Sequence, residues 1–204
     1  WILGLLSLVI ILPVYASFDE KLVDLHKTKF NKLAMDLWDY SELGYQETQS
    51  VNAITNILED EGFIIKKNVA NIPTAFIAEY GNGGPVIAIL GEFDALPGLA
   101  QSRATFREVE YNSTGAGQAC GHHLFGAASA WAAVTIKDWL KENNIEGTIR
   151  FYGTPAEEGG SGKVYMVRAG LFKDVDIVFH WHPDDQNSAN IATNNSNKSA
   201  KFLF

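Results

Sequence analysis

The single cysteine of this sequence lies beside two of its five histidines. Residues 118–127 read QACGHHLFGA and contain Cys120, His122 and His123. Thiolate and imidazole, together with carboxylate, are the side chains that bind borderline divalent ions such as Zn²⁺. A metal would explain the lone cysteine, because a coordinated thiolate stays deprotonated and is shielded from oxidation. The alternative is a buried apolar cysteine without a chemical role.

Three further groups of chemically capable side chains are spread along the chain. In chain order they are Glu92 and Asp94 in GEFDALPG, Glu157 and Glu158 in TPAEEGG, and His180 and His182 in FHWHP. Each group alone is weak evidence for a functional site, since Glu-Glu pairs are usually solvated and a His-X-His on a strand also suits a buried core. All three follow apolar runs that predict strands, and ligands of open α/β sheets bind beyond the carboxyl ends of strands. We therefore expect these groups to meet the cysteine segment at one edge of a sheet.

The elements that must position these groups alternate along the chain. Apolar residues recur at helical spacing over 22–37, 51–58, 122–141 and 161–169, and the second helix should begin with Thr48 or Ser50 as its N-cap. Apolar runs predict strands over 74–80, 85–90, 148–152 and 175–179. The last two are unbroken, which favours strands covered on both faces. The alternation predicts an α/β fold, a three-layer sandwich with a mostly parallel central sheet.

Composition narrows the class of protein. At 204 residues and 47% hydrophobic content, the chain can bury one sizeable core. Sixteen basic residues stand against 24 acidic ones, for a formal charge of −8. The basic residues form no cluster that could follow a phosphate backbone, so we expect no nucleic-acid partner.

The first residues predict a signal peptide over 1–16. Residues 1–12 carry no charge, and Val14-Tyr15-Ala16 has the small-residue pattern of a cleavage site. The run is short for a membrane span of about 20 residues. We therefore expect a secreted or periplasmic protein without a stable membrane span. An N-terminal anchor, lengthened by residues that precede Trp1, is the alternative.

The four motifs, in this order and spacing, resemble the aminobenzoyl-glutamate hydrolase type of amidohydrolase. This type belongs to the aminoacylase and carboxypeptidase set of two-metal peptidases. The resemblance runs over residues 18–204 and includes SELGYQETQS near the start. It implies two divalent ions, Zn²⁺ or Mn²⁺ with Co²⁺ as an alternative, and four ligands, namely Cys120, His122, Glu158 and His182.

The resemblance also implies roles for the remaining polar residues. Glu157 would be the general base, and Asp94 and His123 would lie behind the ligands and orient them. His180 is placed with these two residues and is the alternative to His182 as a ligand. Glu92 stands where many relatives have a metal-binding histidine, and its role is left open.

By the same resemblance, residues 17–186 are the first part of a catalytic domain. Residues 187–204 would be the crossover and the start of a ferredoxin-like lid and dimerisation domain that continues beyond the chain. The implied reaction is hydrolysis of the amide bond in N-acyl amino acids, aminobenzoyl-glutamate-like conjugates or small dipeptides. We expect the whole protein to be the enzyme and a homo-oligomer, and the 204-residue chain to be inactive.

Two alternative functions remain open. Cys120 could be the nucleophile of a hydrolase, activated by a neighbouring histidine. The chain could also be an exported protein that binds metal without catalysis.

Overall fold

The computed structural model describes residues 20–110, 115–189, 200 and 202–203. The predicted signal peptide at 1–16 and most of the predicted crossover at 187–204 lie outside the described residues. Within the described part of the chain, no helix has the length and apolar character needed to cross a bilayer.

Helices and strands alternate along the chain, and the predicted α/β class is confirmed. The helices are α1 Glu20–Leu25, α2 Lys27–Tyr40, α3 Thr48–Asp60, α4 His122–Asn143 and α5 Gly162–Arg168. The strands are β1 Ile64–Lys67, β2 Phe76–Asn82, β3 Val86–Gly91, β4 Leu96–Pro97, β5 Ala116–Gly117, β6 Gly147–Gly153 and β7 Ile177–Phe179.

The main sheet has five strands in the order β1-β2-β6-β3-β7. Strand β3 is parallel to both β6 and β7, whereas β2 is antiparallel to both β6 and β1. Of these five strands, β2 therefore runs against the others, as expected of a mostly parallel sheet. The carboxyl ends of β3, β6 and β7 consequently lie at the same edge.

Helices cover both faces of this sheet. On one face α2, α3 and α4 enclose the larger apolar cluster, which includes Phe151. On the other face the segment around Val69 and α5 enclose a smaller cluster, which includes Tyr152. Successive β6 side chains point to opposite faces, so one strand contributes to both clusters. Burial of each large apolar side chain contributes about 1.5–3 kcal/mol, so the two clusters hold the strand ends in place.

Two local predictions are wrong. Strand β7 is not covered on both faces, since Ile177, Val178 and Phe179 are 48%, 45% and 57% exposed. It is an edge strand paired only with β3 among the described residues, and an apolar run cannot reveal which neighbours a strand has.

The N-cap of α3 also differs from the prediction. The helix begins at Thr48, and its N-cap residue is Glu47, whose side chain makes no capping hydrogen bond. Instead the carboxylate of Glu42 accepts the backbone N–H groups of Gln49 and Ser50, both at 2.9 Å. A carboxylate at this position also opposes the positive end of the helix dipole.

Candidate metal centre

The four motif groups lie together at the carboxyl edge of the sheet. Glu92 directly follows β3, and His180 directly follows β7. Glu157 lies in the loop between β6 and α5. His122 is the first residue of α4, and Gly121 before it has a φ of 83°, a conformation that residues with a Cβ rarely adopt.

Two overlapping sets of side chains could each hold a cation. In the first set, one ligand atom from each of Cys120, His122 and His182 lies within 4.8 Å of the others. In the second set the same holds for Glu92, His122 and Glu157. These separations are compatible with protein ligands that bind a common ion at about 2.0–2.3 Å.

Asp94 fixes the orientation of two neighbouring groups. Its Oδ1 lies 3.0 Å from His122 Nδ1, the geometry of a ring N–H donating to a carboxylate. Its Oδ2 accepts the backbone N–H of Glu158 at 2.9 Å. Because Nδ1 of His122 is held in this way, Nε2 is left to face the candidate ion position, as in carboxylate–histidine–metal arrangements.

Glu92 is almost fully buried and is surrounded by positive or protonatable groups. Its Oε1 lies 2.5 Å from Lys163 Nζ and 3.3 Å from His180 Nε2. Burial alone would raise the pKa of Glu92, but the contacts with His122 and His180 and the charge of Lys163 hold that pKa well below its usual range. Glu92 is therefore a carboxylate at neutral pH.

His122 and Cys120 both hold protons strongly when no cation is bound. Burial would lower the pKa of His122, but the carboxylates of Asp94 and Glu92 outweigh it and raise that pKa to about 10. Burial and the neighbouring Glu158 raise the pKa of Cys120 to about 12. Both groups would have to lose a proton before binding a metal.

Three buried polar atoms without a hydrogen bond indicate that this donor set fits a cation. Glu92 Oε2 and His122 Nε2 lie 2.9 Å apart without hydrogen-bond alignment, and Glu158 Oε1 is also buried without a hydrogen-bond partner among the described residues. Leaving such an atom unpaired costs about 1–3 kcal/mol, so these atoms are normally satisfied. Divalent ions held by His122 and Glu158 would satisfy two of these atoms, and thiolate, imidazole and carboxylate are suitable ligands for such ions.

The two histidine alternatives occupy different positions. His182 Nε2 lies 3.3 Å from Cys120 Sγ, whereas His180 contacts Glu92. The structure therefore brings His182, and not His180, next to the cysteine.

His123 does not belong to either set of potential ligands among the described residues. Its ring packs edge-on against Trp38, with ring centroids 5.0 Å apart. Burial, with a smaller contribution from neighbouring His122, lowers the pKa of His123 to about 4. A neutral ring in this position supports the start of α4 by packing.

Sequence reasoning missed two contributors to this centre, Lys163 and Glu47. Lys163 pairs with Glu92, and the buried Glu47 accepts the backbone N–H of Ala156 beside Glu157. The only signal for Glu47 is its position inside SELGYQETQS, and the only signal for Lys163 is its closeness to TPAEEGG. Neither signal predicts the partner.

Comparison with known proteins agrees with this geometry. The profile of peptidase family M20/M25/M40 matches residues 88–195. The chain is 43% identical to a subunit of the p-aminobenzoyl-glutamate hydrolase of Escherichia coli, over 84% of this chain and 35% of the relative. It is 30% identical to the Xaa-Arg dipeptidase of mouse, over 82% of this chain and 38% of the relative. The chain thus spans little more than a third of the length of these relatives.

A solved structure extends the comparison to three dimensions. The crystal structure of a dinuclear metal-binding M20 peptidase from Bacillus subtilis superposes with a TM-score of 0.67 at 30% identity. The match covers 81% of this chain and 44% of that protein. More than half of the sequence thus matches one family profile, and the fold and the clustered polar side chains agree with it. The chain belongs to peptidase family M20/M25/M40.

Proposed function

We propose that the whole protein containing this chain is a metal-dependent hydrolase of small amides. The substrates would be N-acyl amino acids, aminobenzoyl-glutamate-like conjugates or small dipeptides. The observation that carries the proposal is the convergence of Cys120, His122 and His182, with Glu157 and Glu158 beside them. Two relatives named for p-aminobenzoyl-glutamate hydrolysis and for Xaa-Arg dipeptide cleavage support the substrate class.

The proposed metal ligands are Cys120, His122, Glu158 and His182, which would hold two divalent ions, Zn²⁺ or Mn²⁺ with Co²⁺ as an alternative. Such ions, when bound, polarise a scissile carbonyl and lower the pKa of a bound water from about 16 toward 7. Asp94, through its contacts with the His122 ring and the Glu158 backbone N–H, would hold both residues in position to bind these ions. The proton transfers would be carried out by side chains of the protein.

Glu157 is proposed as the general base. Its side chain is exposed, and one carboxylate oxygen lies within 4.8 Å of ligand atoms of His122 and Glu92. From there it would accept the proton of the attacking water and pass it to the leaving amine. Glu158 Oε1, in contrast, is buried, and its carboxylate contacts Cys120. The two adjacent glutamates would therefore divide proton transfer and metal binding between them.

A cavity of about 670 Å³ includes the candidate ligand His182 and is lined by nine residues of the segment 180–189, among them Trp181. Ligand sites usually measure about 300–1,000 Å³, so a dipeptide or an N-acyl amino acid fits the space. Substrate would enter from this side of the metal centre.

The decisive experiment joins elemental analysis of the whole protein to an activity panel. We expect bound divalent metal and hydrolysis of at least one N-acyl amino acid, aminobenzoyl-glutamate or dipeptide. Chelation should abolish the hydrolysis, and added Zn²⁺, Mn²⁺ or Co²⁺ should restore it. A metal-free protein that turns over none of these amides would contradict the proposal.

A cysteine nucleophile is the second candidate, because Cys120 Sγ lies 3.3 Å from His182 Nε2. The raised pKa of Cys120 argues against it, since the thiolate is the nucleophile. Alkylation by iodoacetamide separates the two candidates. Bound metal should protect Cys120 if it is a ligand, whereas inhibition that metal cannot prevent would favour the nucleophile.

We also propose that the protein is exported and that the whole protein is a homo-oligomer. The apolar run and small-residue pattern at 1–16 support export, and the family resemblance supports oligomerisation. Cell fractionation with N-terminal sequencing tests cleavage after Ala16, and a retained leader in the membrane fraction would indicate an anchor. Analytical ultracentrifugation of the whole protein tests the oligomer.

A further inference from the structure

The loop between β6 and α5, residues 154–161, carries both glutamates of the candidate metal centre and has an unusual backbone. Ala156, immediately before Glu157, has a φ of 55°. This left-handed conformation is disfavoured for residues with a Cβ, and it persists only where the surroundings hold it. The direction of the Glu157 side chain depends on this turn, so the contacts that hold Ala156 bear on catalysis.

Glu47 makes the contact that holds Ala156. It is fully buried, and its Oε1 accepts the backbone N–H of Ala156 at 2.8 Å. Burial raises the pKa of Glu47, and the hydrogen bond from Ala156 is among those that offset only part of the effect. A buried carboxyl group is costly to maintain, and the metal centre does not use this one as a ligand.

Two neighbours of Glu47, Gly44 and Tyr45, also contact this loop. A Cβ added to Gly44 would lie 2.9 Å from Ala156 Cα, so only glycine allows this close approach. The hydroxyl of Tyr45 donates to the carbonyl of Gly160 at 2.5 Å. The segment 44–47 therefore fixes the middle and the end of the loop.

The segment 44–47 is itself anchored to the Asp94 side of the centre. Leu43 forms a β-bridge with Ala95, and the Ala95 N–H donates to the Glu42 carbonyl at 2.8 Å. The contacts thus connect the loop that carries Asp94 to the loop that carries Glu157.

We propose that Glu47 is a positioning residue, which sets the direction of Glu157 by holding the backbone of Ala156. Its catalytic consequence rests on the proposed hydrolase function. The contact between Glu47 and Ala156 can be tested without measuring activity. Failure of the positioning proposal is therefore distinguishable from failure of the proposed function.

Three variants of the whole protein isolate this contact. Glu47→Leu removes the acceptor at similar size, and Glu47→Gln keeps an acceptor oxygen. Glu42→Leu is the matched control, because Glu42 is a second buried carboxylate of the same segment that also accepts backbone N–H groups. The Glu42 carboxylate, however, accepts hydrogen bonds from the start of α3 and not from the loop.

The first readout is hydrogen exchange of the Ala156 amide. We expect Glu47→Leu to accelerate it about 10-fold, the factor that corresponds to the loss of a typical hydrogen bond. Glu47→Gln should keep most of the protection. Glu42→Leu should accelerate exchange at Gln49 and Ser50 and leave Ala156 protected.

The second readout is steady-state kinetics with bound metal measured in parallel. Displacement of a reacting group by about 1 Å can cost about 100-fold, so Glu47→Leu should lower kcat by about that factor with little change in KM. Glu47→Gln should recover most of the kcat. Unchanged Ala156 exchange in Glu47→Leu, or an equal loss of kcat in Glu42→Leu, would overturn the proposal.

Gly44→Ala provides an independent test if Glu47→Leu does not fold. The added methyl group crowds Ala156 without removing the Glu47 carboxylate, so kcat should again fall with little change in KM. A Gly44→Ala protein with wild-type kcat would count against positioning through Ala156. If the wild-type protein hydrolyses no amide, the proposed function fails, and Ala156 exchange still decides whether Glu47 holds the loop.

Discussion

Two clusters of charged side chains on this fold differ in how completely their polar atoms are paired. Around Arg150, in β6, the guanidinium group donates to Glu79 at 2.7 Å and to both carboxylate oxygens of Asp174 at 3.0 and 3.1 Å. The nearby Tyr152 hydroxyl donates to the Leu171 carbonyl at 2.6 Å. In this cluster the donors find acceptors within the protein.

The candidate metal centre, at the carboxyl edge of the same sheet, shows the opposite pattern. Glu92 Oε2, His122 Nε2 and Glu158 Oε1 are buried without hydrogen-bond partners among the described residues. The difference indicates what each cluster is for. A network of aligned hydrogen bonds stabilises the fold, whereas converging buried atoms without aligned hydrogen bonds indicate a site that a ligand completes.

The largest effect expected from this contrast concerns Glu157. Glu157→Gln removes the general base and should lower kcat of the whole protein by about 10²- to 10⁴-fold. Metal content should stay unchanged, since Glu157 is not a proposed ligand. Steady-state kinetics and elemental analysis check both statements. Glu79→Gln, from the paired cluster, is the control and should keep both activity and metal.

A pH titration of metal affinity sharpens the contrast further. Because the pKa values of His122 and Cys120 are raised to about 10 and about 12, both carry protons at pH 7 in the metal-free protein. A metal must displace them, so affinity should rise with pH. Release of about two protons corresponds to about 100-fold per pH unit between pH 7 and 9. Calorimetry in buffers of different ionisation enthalpy counts the protons, and pH-independent affinity would contradict the assignment.

Asp94→Asn tests whether orientation of the ligands matters. The asparagine amide has only one acceptor oxygen, so the hydrogen bond with either His122 or the Glu158 backbone is lost. Loss of such a supporting contact typically weakens metal binding by about 10- to 100-fold. Competition with a chromogenic chelator measures this effect. Asp174→Asn, in the paired cluster, should bind metal like the wild type, and equal losses in both variants would break the comparison.

The smallest effect is expected in the paired cluster itself. Arg150→Met should lower the free energy of unfolding by about 1–2 kcal/mol, because Glu79 and Asp174 are exposed enough to regain water when their partner is lost. Denaturant unfolding of the metal-free protein measures this change. Metal affinity should not change, and a parallel loss of metal would show that the two clusters are coupled.

Much of the fold could be predicted from local patterns. Helix α4 begins at His122, where apolar spacing indicated, α3 begins close to its predicted N-cap, and β3 and β6 lie within a residue or two of their apolar runs. The burial of β7 and the existence of β1 could not be predicted. IIKK in β1 lacks a clear alternation, and β7 is exposed because of its place at the edge.

Part of the candidate site could likewise be predicted from the sequence, and part could not. The placement of polar residues directly after strands predicted that Glu92, Glu157 and His182 would share one edge. The contact between Glu47 and Ala156 joins residues 109 positions apart, and no spacing rule covers that distance. The Glu92–Lys163 pair could not be predicted from the sequence either, because it depends on how α5 packs beside β3.

By itself, the sequence determined which side chains are available for metal chemistry and that they follow strands, because local periodicity and turn residues specify where strands end. Only the tertiary structure decided that His182 lies beside Cys120 while His180 contacts Glu92, and that Asp94 serves both His122 and Glu158. The reason is physical. Strand order and helix packing bring together residues that are far apart in the chain, and contacts of a few ångströms depend on that packing and not on local pattern.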